Sequence, residues 1–233
     1  MTALSHPTTK AAGTSAATLS GRRAAATAGI ASAALLFLGV FILNPPLNAD
    51  NGELVTWWSD RGNQTTAAVS MYLFAACALC FLAFLAHVYA RLRATDRGGP
   101  LAPLVLANGV VFASALTVAA AARGVVGKAT AFNDQPLPDA DTLRYLMQLA
   151  SVALGVIAML AITATIIAVS YAILRTGTFG RWLAVLGIVA AVVLLAVQAT
   201  FVGELAIPAV VIWTIAASVA LWRTPSPPDG STR

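Results

Sequence analysis

The chain has 233 residues, of which 59% are apolar and only 10% charged, a balance that excludes an ordinary soluble domain and assigns the protein to the membrane. Its formal charge is +5, but the 14 lysines and arginines sit singly or in small groups beside apolar runs, which argues against a nucleic-acid surface. With 12 of those 14 being arginine and alanine abundant, the composition points to a GC-rich bacterial genome.

Residues 1–23 are rich in Ala, Thr and Ser, carry Lys10, Arg22 and Arg23, and are predicted to form a disordered cytoplasmic tail. Six uncharged runs follow, at 24–43, 66–90, 101–122, 149–174, 183–202 and 205–222. A span needs about 20 apolar residues, at 1.5 Å each, to cover a hydrocarbon core of roughly 30 Å. The shortest run has 18, so the prediction is an all-α membrane protein with six transmembrane helices over 24–222 and a short cytoplasmic tail at 223–233. A cleaved signal peptide, with Leu47-Asn48-Ala49 as an imperfect cleavage site, is the competing reading of the first run. That run has 20 residues against about 7–15 in a signal core, which favours an uncleaved anchor.

Between the first two runs, Pro45-Pro46 stops the first helix. Leu54, Trp57 and Trp58 then recur at helical spacing among Glu53, Ser59, Asp60 and Arg61, which predicts a short helix lying on the outer membrane surface. Within the second run, Cys77 and Cys80 form a C-x-x-C with His87 farther along. His87 lies about 10.5 Å along the axis from Cys80, too far to share one metal with ligand distances of about 2.0–2.3 Å, so no metal site and no cofactor are expected. Both cysteines read as small packing residues.

The later spans carry local punctuation of the same kind. Pro103 and Pro208 sit near helix starts, where a missing N–H is tolerated. Asp139, Asp141 and Thr142 are candidate N-caps for the fourth span. Gly177 after Arg175 reads as a helix C-terminus with a cation in its last turn. Asn108, Ser114, Thr117, Thr163, Thr165 and Ser170 are predicted to hydrogen-bond between helices.

Orientation follows from the arginines. The segments on one side of the six runs hold ten of the 14 lysines and arginines, and the opposite segments hold only Arg61, Arg123, Lys128 and Arg144. The positive-inside rule therefore places both termini in the cytoplasm of the bacterial inner membrane. Tyr89, Tyr171, Trp182 and Trp222 at the inner ends, with Trp57, Trp58 and Tyr145 near the outer ends, match interfacial aromatic belts. The chain also matches itself at an offset of 82: Tyr89-Ala90-Arg91-Leu92-Arg93 against Tyr171-Ala172-Ile173-Leu174-Arg175, then Gly98, Leu101, Ala102 and Leu104 against Gly180, Leu183, Ala184 and Leu186. Two readings stand: a parallel repeat of the span 2–3 and span 4–5 hairpins, or two interfaces that independently need Tyr and Arg.

The outer span ends carry the candidate ligand-binding residues. Arg123 is predicted to close the third span, Arg144 and Gln148 share a helix face, Gln198 ends the fifth, and Glu204 occupies the next turn. Charges at the hydrocarbon boundary are costly unless paired or snorkelling. These residues could form an ordinary headgroup-level ion pair or an outward-facing pocket for a small or lipidic ligand. No P-loop, H-E-x-x-H or nucleophile elbow occurs, and no span carries a central acid. A non-enzymatic accessory or small-ligand-binding component is therefore expected. A lipid- or isoprenoid-modifying cyclase or isomerase using Glu204, and a transporter subunit, are the alternatives. The expected partners are the lipid bilayer and a membrane protein or second copy of the chain.

Pro45-Pro46, the Glu53-Leu54-Val55-Thr56-Trp57-Trp58 segment, Phe84-Leu85 leading into Tyr89–Arg93, and Leu174-Arg175-Thr176-Gly177 joined to Arg181-Trp182-Leu183 carry one resemblance. From about residue 24 to 222 the chain resembles bacterial six-span membrane proteins grouped around a domain of unknown function. The resemblance implies the six-span fold and brings no activity, substrate or site residue.

Overall fold

The computed structural model describes residues 11–43, 45–46, 50–95, 99–199 and 206–223. The described residues are helical almost throughout: α1 (Ala11–Phe41), α2 (Asn51–Ser59), α3 (Arg61–Arg93), a 3-10 turn (Gly99–Leu101), α4 (Ala102–Asn133), α5 (Ala140–Ser151), a π segment (Val152–Ala158), α6 (Met159–Thr176), α7 (Arg181–Gln198) and α8 (Ile207–Arg223). Five helical stretches are long and apolar enough to cross a membrane, with the continuous rod Ala140–Thr176 counting as one. The apolar α8, at 17 residues, completes the all-α membrane fold.

The helices outrun the apolar runs. At 33 and 32 residues, α3 and α4 extend for about 50 Å, well beyond a hydrocarbon core of roughly 30 Å. The excess lies at the α2 end, where α3 starts at Arg61, α4 continues to Asn133 and α5 starts at Ala140. Arg123 therefore does not close its helix, as the hydropathy predicts, but sits inside α4. Hydropathy marks where lipid gives way to water, and a helix can continue past that level because its backbone bonds are internal. At the other terminus α1 takes in Ala11–Arg23, predicted as a disordered tail; its alanines are strong helix formers.

Beyond the membrane-scale bundle the extended ends form a second small core. Leu43, Leu54, Trp58, Ala67, Val126, Leu143 and Met147 are buried together there. The short α2 forms where its sequence predicts, but its Leu54 and Trp58 are buried against protein instead of lying on the membrane surface or in an aromatic belt. It is capped by Asp50, whose carboxylate accepts from the Glu53 N–H at 2.8 Å. It lays Leu54 and Trp58 on this core. Asp60 ends α2 and caps α3 by accepting from the Asn63 N–H. The predicted cap of the fourth span is present: Asp139 accepts from both the N–H and the hydroxyl of Thr142, at 2.9 Å each. In α5 the buried Leu143, Met147 and Ala150 recur at i, i+4 and i+7, giving one inward stripe.

In the main bundle α1 packs on α3 and α8, α3 on α4, α4 on α6, and α6 on α7. Close approach depends on small residues. A Cβ at Gly127 of α4 would run into the Gln64 carbonyl oxygen of α3 and come within 3.0 Å of the Ala67 Cβ. Ser70 donates to the Gly39 carbonyl at 3.1 Å, and Cys77 lies 3.5 Å from the Ser32 hydroxyl, so one predicted packing cysteine also makes a polar link between α1 and α3. The predicted interhelical donors behave differently, and one of them, Ser170, is buried with its hydroxyl making no hydrogen bond. Asn108, Thr117, Thr163 and Thr165 each bond a carbonyl four residues back on their own helix, the local alternative open to short polar side chains.

Candidate functional site

The arginines at the α2 end are held by partners far away in sequence. Arg123 is half-buried; its Nη2 donates to the Leu43 carbonyl at 2.9 Å, and its guanidinium carbon lies 5.5 Å from the centre of the Phe74 ring. That carbonyl lies just past the end of α1, where the chain leaves the helix and reaches Pro45-Pro46. The last carbonyls of a helix lack intrahelical partners and carry partial negative charge, so a cation is well placed there. Arg61 does the same for α4, donating from Nη2 to the Ala131 carbonyl at 3.2 Å. Arg144 donates from Nη2 to the Asn51 side-chain oxygen at 3.0 Å.

Arg123 and Arg144 thus grip the two ends of one connection, Leu43 at the close of the first span and Asn51 at the start of α2. Gln148 lies one turn beyond Arg144 on α5 and is exposed. Gln198, the last residue of α7, donates to the Gly155 carbonyl at 2.9 Å, inside the π segment. Glu204 and the turn that contains it lie outside the described residues. The predicted set is therefore divided: two members share the α1–α2 connection, one faces outward, and one supports the interior of the helix beside it.

Asp139, just before α5, is exposed, and hydrogen bonds from the Thr142 backbone and hydroxyl hold its carboxyl below the usual carboxylate value. Arg61 and the π segment are the contributors that the sequence reading does not single out. Arg61 carries no local signal, since its partner is 70 positions away. Gly155, inside a long apolar run, is the one residue that could have drawn attention to the π segment.

The opposite end is built differently. A largely apolar recess of about 220 Å³, including its open side, is lined by Phe84, Val88, Val169, Phe179, Leu183 and Trp213 among others. Around this end lie Arg22, Arg23, Arg91, Arg93, Arg175, Arg181 and Arg223. Arg91 is half-buried with its guanidinium 5.4 Å from the Phe179 ring centre.

These features define an all-α membrane protein with a folded cap at one end and an arginine-rich rim at the other. No family model, no curated protein and no solved structure matches this chain.

Proposed function

We propose that the chain is a non-enzymatic accessory component of the bacterial cytoplasmic membrane, with both termini in the cytoplasm and its cap outside, working through contact with a membrane protein or a second copy of itself. The grouping with six-span bacterial membrane proteins belongs to the same reading. One observation carries it: Arg123 and Arg144, the cations best placed for an outer ligand, are engaged within the protein at Leu43 and Asn51. Their geometry supports a role in shaping the cap.

The test is thermal unfolding of the purified protein in detergent. Arg123→Gln should cost about 1.5–3 kcal/mol, the worth of a charge-assisted hydrogen bond that leaves a helix-end carbonyl unpaired. Arg144→Gln and Asn51→Ala should each cost about 0.5–1.5 kcal/mol, and the double variant no more than Arg144→Gln alone. The proposal is overturned if Arg123→Gln melts like wild type while Glu204→Gln couples to Arg123 or Arg144 by about 0.5–3 kcal/mol. That result would give those residues to a pocket and favour the enzyme.

A further inference from the structure

We propose that the arginine-rich end carries two equivalent sites for the phosphodiester headgroup of anionic lipids, one at Tyr89–Arg93 and one at Tyr171–Arg175. In the last turns of α3 and of α6, an arginine follows a tyrosine by four residues and folds back on it. Arg93 Nη1 donates to the Tyr89 hydroxyl at 3.0 Å, and Arg175 Nη1 donates to the Tyr171 hydroxyl at 2.8 Å. The guanidinium carbons lie 5.9 and 5.5 Å from the respective ring centres. Both arginines are exposed. Two helices 82 positions apart in sequence have thus built the same object at the same end of the bundle.

The chemistry of that object suits a phosphate. A guanidinium has five N–H donors in a fixed fork, and the tyrosine takes one, leaving the others for an anion. Phosphate oxygens accept such a fork in bidentate fashion. The tyrosine also holds the long arginine side chain, which lowers the ordering cost that a free side chain would bear on binding. Depth selects the source: both pairs lie at the ends of membrane-scale helices, where an amphipathic tyrosine ring belongs at headgroup level. Charge selects the class. By sequence the segments on this side hold ten lysines and arginines against two acids, Asp96 and Asp229, while those on the α2 side hold four against seven. A zwitterionic headgroup brings its own cation into that field; an anionic one does not.

The experiment is native mass spectrometry of the full chain released from nanodiscs made of equal parts phosphatidylglycerol and phosphatidylcholine. Wild type should retain up to two phosphatidylglycerol molecules in preference to phosphatidylcholine. Arg93→Gln and Arg175→Gln should each remove one, with about a tenfold fall in retention at that site, and the double variant should remove both. Arg61→Gln, at the other end, should remove none. Tyr89→Phe and Tyr171→Phe keep the ring and the charge and lose only the tether, so each should weaken its own site by less than the arginine variant does. Retention of wild type in rising salt needs no variant and should fall for phosphatidylglycerol alone. Equal retention of the two lipids by wild type, or a well-folded double variant that keeps both phosphatidylglycerols, would overturn the proposal. So would displacement of the lipid by inorganic phosphate at millimolar concentration, which would mark a site for the free anion.

Discussion

The side-chain amide of Gln198 donates to the backbone carbonyl of Gly155 over 2.9 Å, joining the end of α7 to the middle of the π segment in the neighbouring rod. A π turn displaces the regular i to i−4 pattern, and backbone groups released inside a membrane bundle have no water to turn to. A neighbouring side chain is one of the few available partners. Gly155 itself is buried, which brings its carbonyl within reach of α7.

Gln198→Leu should therefore destabilise the protein by about 1–3 kcal/mol, the cost of stranding a buried carbonyl, with Gln198→Glu no better because a carboxylate cannot donate. Thermal unfolding in detergent measures the cost. A Gln198→Leu protein as stable as wild type would mean that the carbonyl is satisfied within its own helix.

Helix contact between α3 and α4 gives a second expectation. Gly127→Ala should destabilise by about 1–3 kcal/mol, because the added methyl meets the backbone of Gln64 and Ala68, and backbone cannot swing aside. Gly177→Ala fails for another reason: nothing lies within 4 Å, but the residue sits at φ +70°. That left-handed conformation disfavours a Cβ by about 1 kcal/mol. Unfolding midpoints of the two variants separate crowding from strain, since Gly177→Asn should recover most of the loss and Gly127→Asn none.

Much of this architecture was legible because its signals are local. Asp139 caps α5 through a residue three positions away, Gly177 closes α6, and the Leu54–Trp58 spacing announces α2. The full extent of α4 was not legible, since an arginine ends an apolar run without ending a helix. The partners of the candidate site were least legible of all. Arg123 and Leu43 are 80 positions apart, and nothing near either residue records the other. Interior threonines misled in the opposite direction: they could bond across helices, but the nearest carbonyl was on their own.

The membrane orientation has a direct chemical test. In a background with Cys77 and Cys80 replaced by alanine, single cysteines at Thr56 and Gln135 should react in intact cells with an impermeant thiol reagent, and cysteines at Ala94 and Thr178 should not. Labelling at Ala94 would invert the arrangement and place the arginine-rich rim outside.

Acid should loosen the start of α5. Hydrogen bonds from Thr142 depress the Asp139 carboxyl in the folded protein below its ordinary value of 3.8. The contribution is therefore fully present above that ordinary value and is lost as pH falls through the lower folded one. Amide exchange at Thr142, taken relative to the free-peptide rate at each pH, should accelerate on that descent in wild type. In Asp139→Asn, which keeps an acceptor without a titrating group, the acceleration should disappear; equal acid sensitivity in both would assign the effect elsewhere.

The double grip on Leu43 and Asn51 also makes the chain between them a permissive place for foreign sequence. With both ends fixed by Arg123 and Arg144, the entropy of closing a loop between them rises by only about 0.6 kcal/mol per doubling of its length. A short epitope placed between Pro46 and Asp50 should leave the unfolding midpoint nearly unchanged. On intact cells, with the α2 end outside as proposed, it would report the protein at the surface.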